Sequence, residues 1–300
     1  PRFGRDEIVA FLTSHRDAYK YLHDQTVRLM NAGLTGIEIA EVIQLPEVLS
    51  KQWYNRGYYG TMSHNSKAVY QRYMGWYDAN PVNLWPLPQE EAAVRMVEAM
   101  GGAEAVMARA RTASEAGEYR WAAMLLNYVV FAGGETKAAR DMLAGVYTQL
   151  GYQAEAGTWR NIYLTGAQEL RDGTLKLPPI GLSPDVLAAT PTAMLLDFAA
   201  VRLNPDRALA APLKINLVLT DRNETHLITI ENGVMIHEEG VTDPSAGATV
   251  RMTRLDLLAT LFAGVAVATR SIESEGDGAL YGRFAGLIDP LDPNFNIVTP

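Results

Sequence analysis

Asp172-Gly173-Thr174-Leu175-Lys176-Leu177-Pro178-Pro179 divides the sequence into two unlike parts. Glycine weakens backbone order and paired prolines lack amide hydrogens, so no continuous helix runs through this stretch. Upstream, apolar residues recur at helical spacing. Downstream, short alternating runs typical of strands are mixed with helical segments. The linker therefore predicts a helical domain over 1–172 and an α+β domain over 183–300.

Working back from the linker, Gly117-Glu118-Tyr119-Arg120-Trp121-Ala122 is echoed 34 positions later by Gly151-Tyr152-Gln153-Ala154-Glu155-Ala156. That spacing is the tetratricopeptide period, and small residues at Gly117, Ala122, Gly151 and Ala156 allow close helix approach. With fewer than three units, these read as tetratricopeptide-like helical hairpins inside a larger domain. Nearer the start, Ile8, Phe11, Leu12, Tyr19, Leu22, Val27 and Met30 predict one long helix over Arg5–Asn31. Gly33 stops it, and Thr35 with Glu38 makes a capping box for the next. A denser aromatic segment, Trp53 to Pro88, holds a helix over Asn65–Trp76 and then an irregular crossing.

Forward of the linker, a helix is predicted over Ser183–Leu203. Strands are predicted over Leu213–Leu219, Thr225–Ile230, Val234–His237 and Ala248–Met252, then helices over Arg254–Ala263 and Leu280–Leu287. The expected architecture is one antiparallel sheet with helices on a face.

Composition narrows the function. The 300 residues are 48% hydrophobic and 20% charged, as in soluble globular proteins. A net charge of −8 repels phosphate backbones, which argues against a nucleic-acid partner. With no cysteine, disulfides and thiolate chemistry are excluded. The longest apolar stretch, Leu255–Ala268, is shorter than the ~20 residues of a membrane span. A start at Pro1 rather than methionine suggests a fragment or processed product. Five histidines lack metal-ligand spacing, so no metal is expected on this chain.

The block Arg56-Gly57-Tyr58-Tyr59-Gly60-Thr61-Met62-Ser63-His64-Asn65-Ser66-Lys67-Ala68-Val69-Tyr70-Gln71-Arg72-Tyr73-Met74-Gly75-Trp76-Tyr77-Asp78 resembles the dimerisation region of alkylsulfatases of the metallo-β-lactamase superfamily. Tyr19 to Thr26 and Trp159 to Leu170 are similar to the same family. The resemblance implies a helical dimerisation domain followed by a sterol-carrier-like (SCP2-like) domain, and a homodimer. It also implies an alkyl sulfate substrate of the dodecyl sulfate type. Two zinc ions would be held by the family's N-terminal domain, whose His-x-His-x-Asp-His run is absent from this sequence. The chain alone is then expected to be inactive. By analogy with detergent degraders, the compartment would be periplasmic or secreted.

Sulfate ester cleavage needs cations and donors around the anion and an acid near the leaving alcohol. On that ground the resemblance marks His64 and Tyr70 as catalytic candidates and Asn65, Lys67 and Arg2 as substrate-binding ones. The plain structural alternative makes Ser63 a helix cap and places Tyr70 in the core. Trp53, Tyr54, Tyr58, Tyr59, Trp76, Tyr77 and Trp85 either pack subunits together or wall an alkyl channel. Leu257, Leu258, Leu261, Phe262, Val265 and Val267 either line a tunnel for an alkyl or lipid ligand or form a closed core. The competing functional reading is a non-enzymatic helical scaffold fused to a lipid-binding carrier domain.

Overall fold

A computed structural model describes residues 2–133, 136–176, 183–263 and 272–300. The chain forms two compact units, the first spanning Pro1–Leu175 together with Asn296–Pro300 and the second Lys176–Phe295. The last five residues thus belong to the helical unit and not to the α+β unit that precedes them.

In the first unit, α1 spans Arg5–Asn31. Its exit turns on Gly33 at φ 92°. The amide of Gly33 donates to Met30 O (2.9 Å) and that of Leu34 to Leu29 O (3.2 Å). These bonds satisfy carbonyls that a helix end leaves open, and the left-handed turn favours a residue without Cβ. The predicted capping box of Thr35 and Glu38 opens α2, Gly36–Val42. A short α3, Glu47–Ser50, leads to a 3₁₀ turn at Trp53–Asn55. Next comes α4, Met62–Met74. It begins earlier than predicted because Thr61, not Ser63, caps it. Leu22 of α1, Ile39 of α2 and Tyr70 of α4 form the small core of this end.

Five further helices complete the unit: α5 Gln89–Ala99, α6 Ala103–Glu115, α7 Tyr119–Phe131, α8 Thr136–Gln153 and α9 Gly157–Asp172. Their shared core mixes Ala93, Ala110, Ala122 and Ala167 with Leu125 and Leu143. Small side chains let the axes approach closely, as the sequence suggested. The two repeat segments are not equivalent, however. Gly117 lies in the turn before α7 at φ 79°, whereas Gly151 sits inside α8. A Cβ there would come within 3.0 Å of Leu164 on α9. The chain terminus packs on α9, where Glu169 Oε1 accepts from the amides of Ile297 (2.8 Å) and Val298 (2.9 Å).

The second unit holds α10 Pro184–Ala189, α11 Thr192–Ala200 and α12 Pro205–Ala210. The single helix predicted over 183–203 is broken at Thr190, which the following proline holds extended at φ −71°, ψ 127°. The strands are β1 Leu213–Leu219, β2 Glu224–Glu231, β3 Val234–Glu239, β4 Ala248–Met252 and β5 Glu273–Gly276. Among the described residues two further helices follow in this unit, α13 Arg254–Ala263 and α14 Leu280–Gly286.

Sheet order is β3-β2-β1-β4-β5. The sheet is mixed rather than antiparallel throughout, because β1 and β4 pair in parallel with Leu217 opposite Val250. The β2–β3 hairpin turns on Asn232 and Gly233, both at positive φ, as a two-residue hairpin requires. Ile215, Leu217, Ile228 and Val250 share a core with Leu196, Leu257, Leu261 and Phe284 from the helices. Tyr281 donates to Thr260 Oγ1 at 2.8 Å inside this core, and burial raises its phenol above the ordinary range.

His226 faces that core from β2 with no exposed surface; neither ring nitrogen makes a hydrogen bond within 3.5 Å, and Nε2 lies 3.9 Å from Glu224 Oε2. Burial lowers its pKa, against weaker opposing attraction from Glu239 and Glu224, and His237 lowers it further. A histidine depressed in the folded state binds fewer protons than the unfolded chain. Its neutral form is therefore compatible with full stability above the unfolded value near 6.5. Below that pH, stability falls until the folded pKa is passed. Melting profiles are expected to drop below pH ~6.5, by at most about 1.4 kcal/mol per pH unit from this group. His226→Leu should flatten that slope, and an unchanged slope in the variant would reject this account.

Candidate functional site

The first unit gathers its polar and aromatic candidates around the loop from Arg56 to Thr61. Asn55 anchors the loop's start on α1 and α3, donating from Nδ2 to Ser14 Oγ (2.9 Å) and Leu49 O (3.1 Å). The other side is clamped to the first turn of α9. The Gly157 amide donates to Tyr58 O at 2.8 Å, and Thr158 Oγ1 donates to Tyr59 O at 2.5 Å. Arg56 pairs with Glu155 across the same junction. At the loop's end the Thr61 hydroxyl accepts from the His64 amide at 2.9 Å and sets the start of α4.

This arrangement brings His64 to Trp159, whose indole Nε1–H donates to His64 Nδ1 at 3.1 Å. The rings meet edge to face, with centroids 6.2 Å apart. Lys67, one turn along α4, places its ammonium over the Trp159 ring at 5.8 Å. Trp159 also walls a pocket of ≈ 230 Å³ with Gly57, Thr61, Met62, Ala154, Glu155 and Ala156. His64 and Lys67 thus meet at Trp159, while the nearby carboxylates are already paired, Glu155 with Arg56 and Glu41, which lies near Lys67, with Arg120. Such a surface suits an anion that accepts hydrogen bonds and offers none.

The other candidates are placed differently. Asn65 packs its amide on Gly60, where any Cβ would lie 2.8 Å from its oxygen and nitrogen. That contact explains the glycine. Tyr70 is buried between α1, α2 and α4, against Gly36 and Ile39, on another side of α4 from His64. Arg2 lies over the rings of Phe11 (5.7 Å) and Tyr54 (5.4 Å) and pairs with Glu7 at 3.4 Å. None of those partners belongs to the His64–Lys67–Trp159 group. Trp159 was not among the residues that sequence reasoning marked as a site.

Among the described residues no group of three or more His, Asp or Glu side chains could hold a metal ion. His15 donates to Phe11 O at 3.0 Å and stacks on Tyr54, and His23 bonds Asp24 and Tyr73. His237 meets Asp197 at 2.8 Å, and His226 is enclosed. Among the described residues no helix is long and apolar enough to cross a membrane.

In the second unit Leu257 and Leu261 are buried in the core cluster, and Leu258 packs against it. Phe262 is partly exposed and stacks on Phe198, with centroids 5.5 Å apart. Val265 and Val267 lie outside the described residues. Of the aromatic cluster, Trp53, Tyr58, Tyr59, Trp76 and Trp85 are exposed on this single chain.

A helical unit with this loop-and-helix site, followed by an α+β unit, defines the class. Residues 35–173 match the family described as alkyl sulfatase dimerisation, and residues 181–300 match alkyl sulfatase C-terminal. The chain carries the dimerisation and C-terminal domains of the alkylsulfatase family.

It is 44% identical over 305 residues to an (R)-specific secondary-alkylsulfatase from a Pseudomonas species, covering all of this chain and 46% of that protein. Identity to the alkyl/aryl-sulfatase BDS1 of Saccharomyces cerevisiae is 44%, over all of this chain and 47% of the relative. The solved structure of the stereoselective inverting sec-alkylsulfatase Pisa1 from Pseudomonas matches with a TM-score of 0.93 and 42% identity. That match covers 99% of this chain and 48% of Pisa1. The chain spans about half the length of the curated relatives it matches.

Proposed function

We propose that this chain is the dimerisation and pocket-wall part of a zinc-dependent alkylsulfatase that hydrolyses alkyl sulfate esters to alcohol and sulfate. The observation that carries the reading is the match of the whole chain to alkylsulfatases at 42–44% identity. In this reading the two zinc ions belong to a metallo-β-lactamase domain outside this chain. His64 and Lys67 face the sulfate group, and Asn65 braces the loop that sets His64. Homodimerisation is supported by the unburied apolar residues of α1, with Ile8, Val9, Leu12 and Tyr19 exposed, and by Trp85 at 93% exposure. A lone soluble chain gains nothing by presenting such a surface, whereas a partner subunit would bury it.

The test is a chimera in which this chain replaces the matching part of the (R)-specific secondary-alkylsulfatase. The chimera is expected to form a dimer and release sulfate from dodecyl sulfate or a secondary alkyl sulfate, and the chain alone to release none. A folded, dimeric, metal-loaded chimera without activity on either ester would count against the reading.

A further inference from the structure

Trp159 meets His64 and Lys67 from a helix 95 positions away in sequence from the histidine. We infer that Trp159 is a positioning residue that selects, in the neutral ring of His64, the tautomer with its proton on Nε2, so that His64 donates to an anion beside Lys67. The inference rests on the reading of this face as the sulfate side of the cleft.

An indole nitrogen can only donate. Its bond to Nδ1, at 3.1 Å, therefore requires a lone pair there, and in a neutral ring the proton must sit on Nε2. An exposed histidine without such a partner samples both tautomers and several rotamers. Here both ends of the contact are tied to one loop. The amide of His64 is held by Thr61, and the helix turn bearing Trp159 is held by the carbonyls of Tyr58 and Tyr59. Lys67 shares a face of α4 with His64 at i, i+3, and its ammonium lies 5.8 Å over the same indole.

One side chain thus fixes the direction of a donor and steadies a cation next to it. A sulfate monoester, which accepts hydrogen bonds and carries negative charge, fits that pair. Accepting a proton at Nδ1 would break the indole bond, so the role this geometry gives His64 is donation from Nε2.

The tautomer can be read directly by ¹⁵N NMR on the 300-residue chain at about pH 8, where imidazoles are largely neutral. His64→Ala assigns the resonance. The wild-type chain is expected to show a single Nε2–H tautomer at His64. Trp159→Phe keeps a smaller aromatic ring near Lys67 and removes the donor, so a mixture of tautomers should appear without loss of helicity. In the chimera, Trp159→Phe is expected to lower kcat/KM for dodecyl sulfate roughly 3- to 10-fold, the worth of one hydrogen bond.

A mixed or Nδ1–H tautomer in the wild-type chain overturns the inference, as does a tautomer that Trp159→Phe leaves unchanged. Unchanged kcat/KM in Trp159→Phe, with His64→Ala impaired, also overturns it. If His64→Ala itself leaves turnover untouched, the wider reading of this face fails, and the NMR result alone decides whether Trp159 positions His64.

Discussion

Replacing Arg254 by leucine is expected to destabilise the α+β unit by about 3–5 kcal/mol, the cost of breaking a buried, hydrogen-bonded charge network. Arg254 is 5% exposed at the start of α13. Its Nη1 donates to Thr192 Oγ1 at 2.6 Å, and its Nη2 donates to Leu187 O at 3.0 Å and to Thr190 O. One guanidinium therefore satisfies the carbonyls where α10 ends and holds the first residue of α11. Thr192 passes the contact on, donating to Glu224 on β2 at 2.5 Å. Leucine fills part of the space but leaves those carbonyls without a donor. Lysine restores the charge without the planar fork and should recover little. Amide exchange in β1 and β2 reports the result, with protection falling about 10²- to 10⁴-fold. A loss below tenfold in Arg254→Leu would show that the network relaxes around the gap.

Where local chemistry decides an element, the sequence was a sufficient guide. The long helix over Arg5–Asn31 has its apolar spacing, acidic first turn and glycine stop within its own residues, and the structure reproduces those bounds. The strands Leu213–Leu219 and Ala248–Met252 likewise emerge as read, since period-2 burial is a local signal. Strand direction is another matter. Alternation looks the same in parallel and antiparallel pairs, so nothing within β1 or β4 announces that they run together. Glu273-Ser274-Glu275-Gly276 has no apolar residue and all four are exposed. It becomes β5 only because β4 offers an open edge. The break at Thr190–Pro191 was hidden for the opposite reason: Leu187, Leu195 and Leu196 keep an apolar character across it.

The candidate site was half legible. His64, Asn65 and Lys67 fall within one turn of α4, so a polar block in an aromatic surround could be seen directly. Tyr70 belongs to the same block, but six positions around a helix carry it to another side, into the packing of α1 and α2. Trp159 is contributed by α9, and only the tertiary clamp between that helix and the Tyr58–Tyr59 carbonyls sets it beside His64.

His64→Ala in the chimera is expected to lower turnover of dodecyl sulfate by about 10²–10³-fold, the usual cost of losing one transition-state donor. The expected mechanism is specific. His64 is exposed, and its ring contact is with Trp159 rather than with the core, so truncation opens no cavity and should cost little stability. Dimerisation and metal content should stay at the level of the parent chimera, because no described group of His, Asp or Glu on this chain holds a metal. Lys67→Met removes the neighbouring cation and keeps most of the side chain's bulk. It should raise KM for the anionic ester, since a charge that attracts the sulfate group acts on the ground state as well as on the transition state. A structural histidine would give the reverse pattern for His64→Ala, with a lower melting temperature and near-parent turnover per folded molecule. Measuring melting temperature, metal content, dimer mass and steady-state kinetics on the same preparations separates the two, and that reverse pattern would remove His64 from the reaction and leave the α4–α9 junction a scaffold.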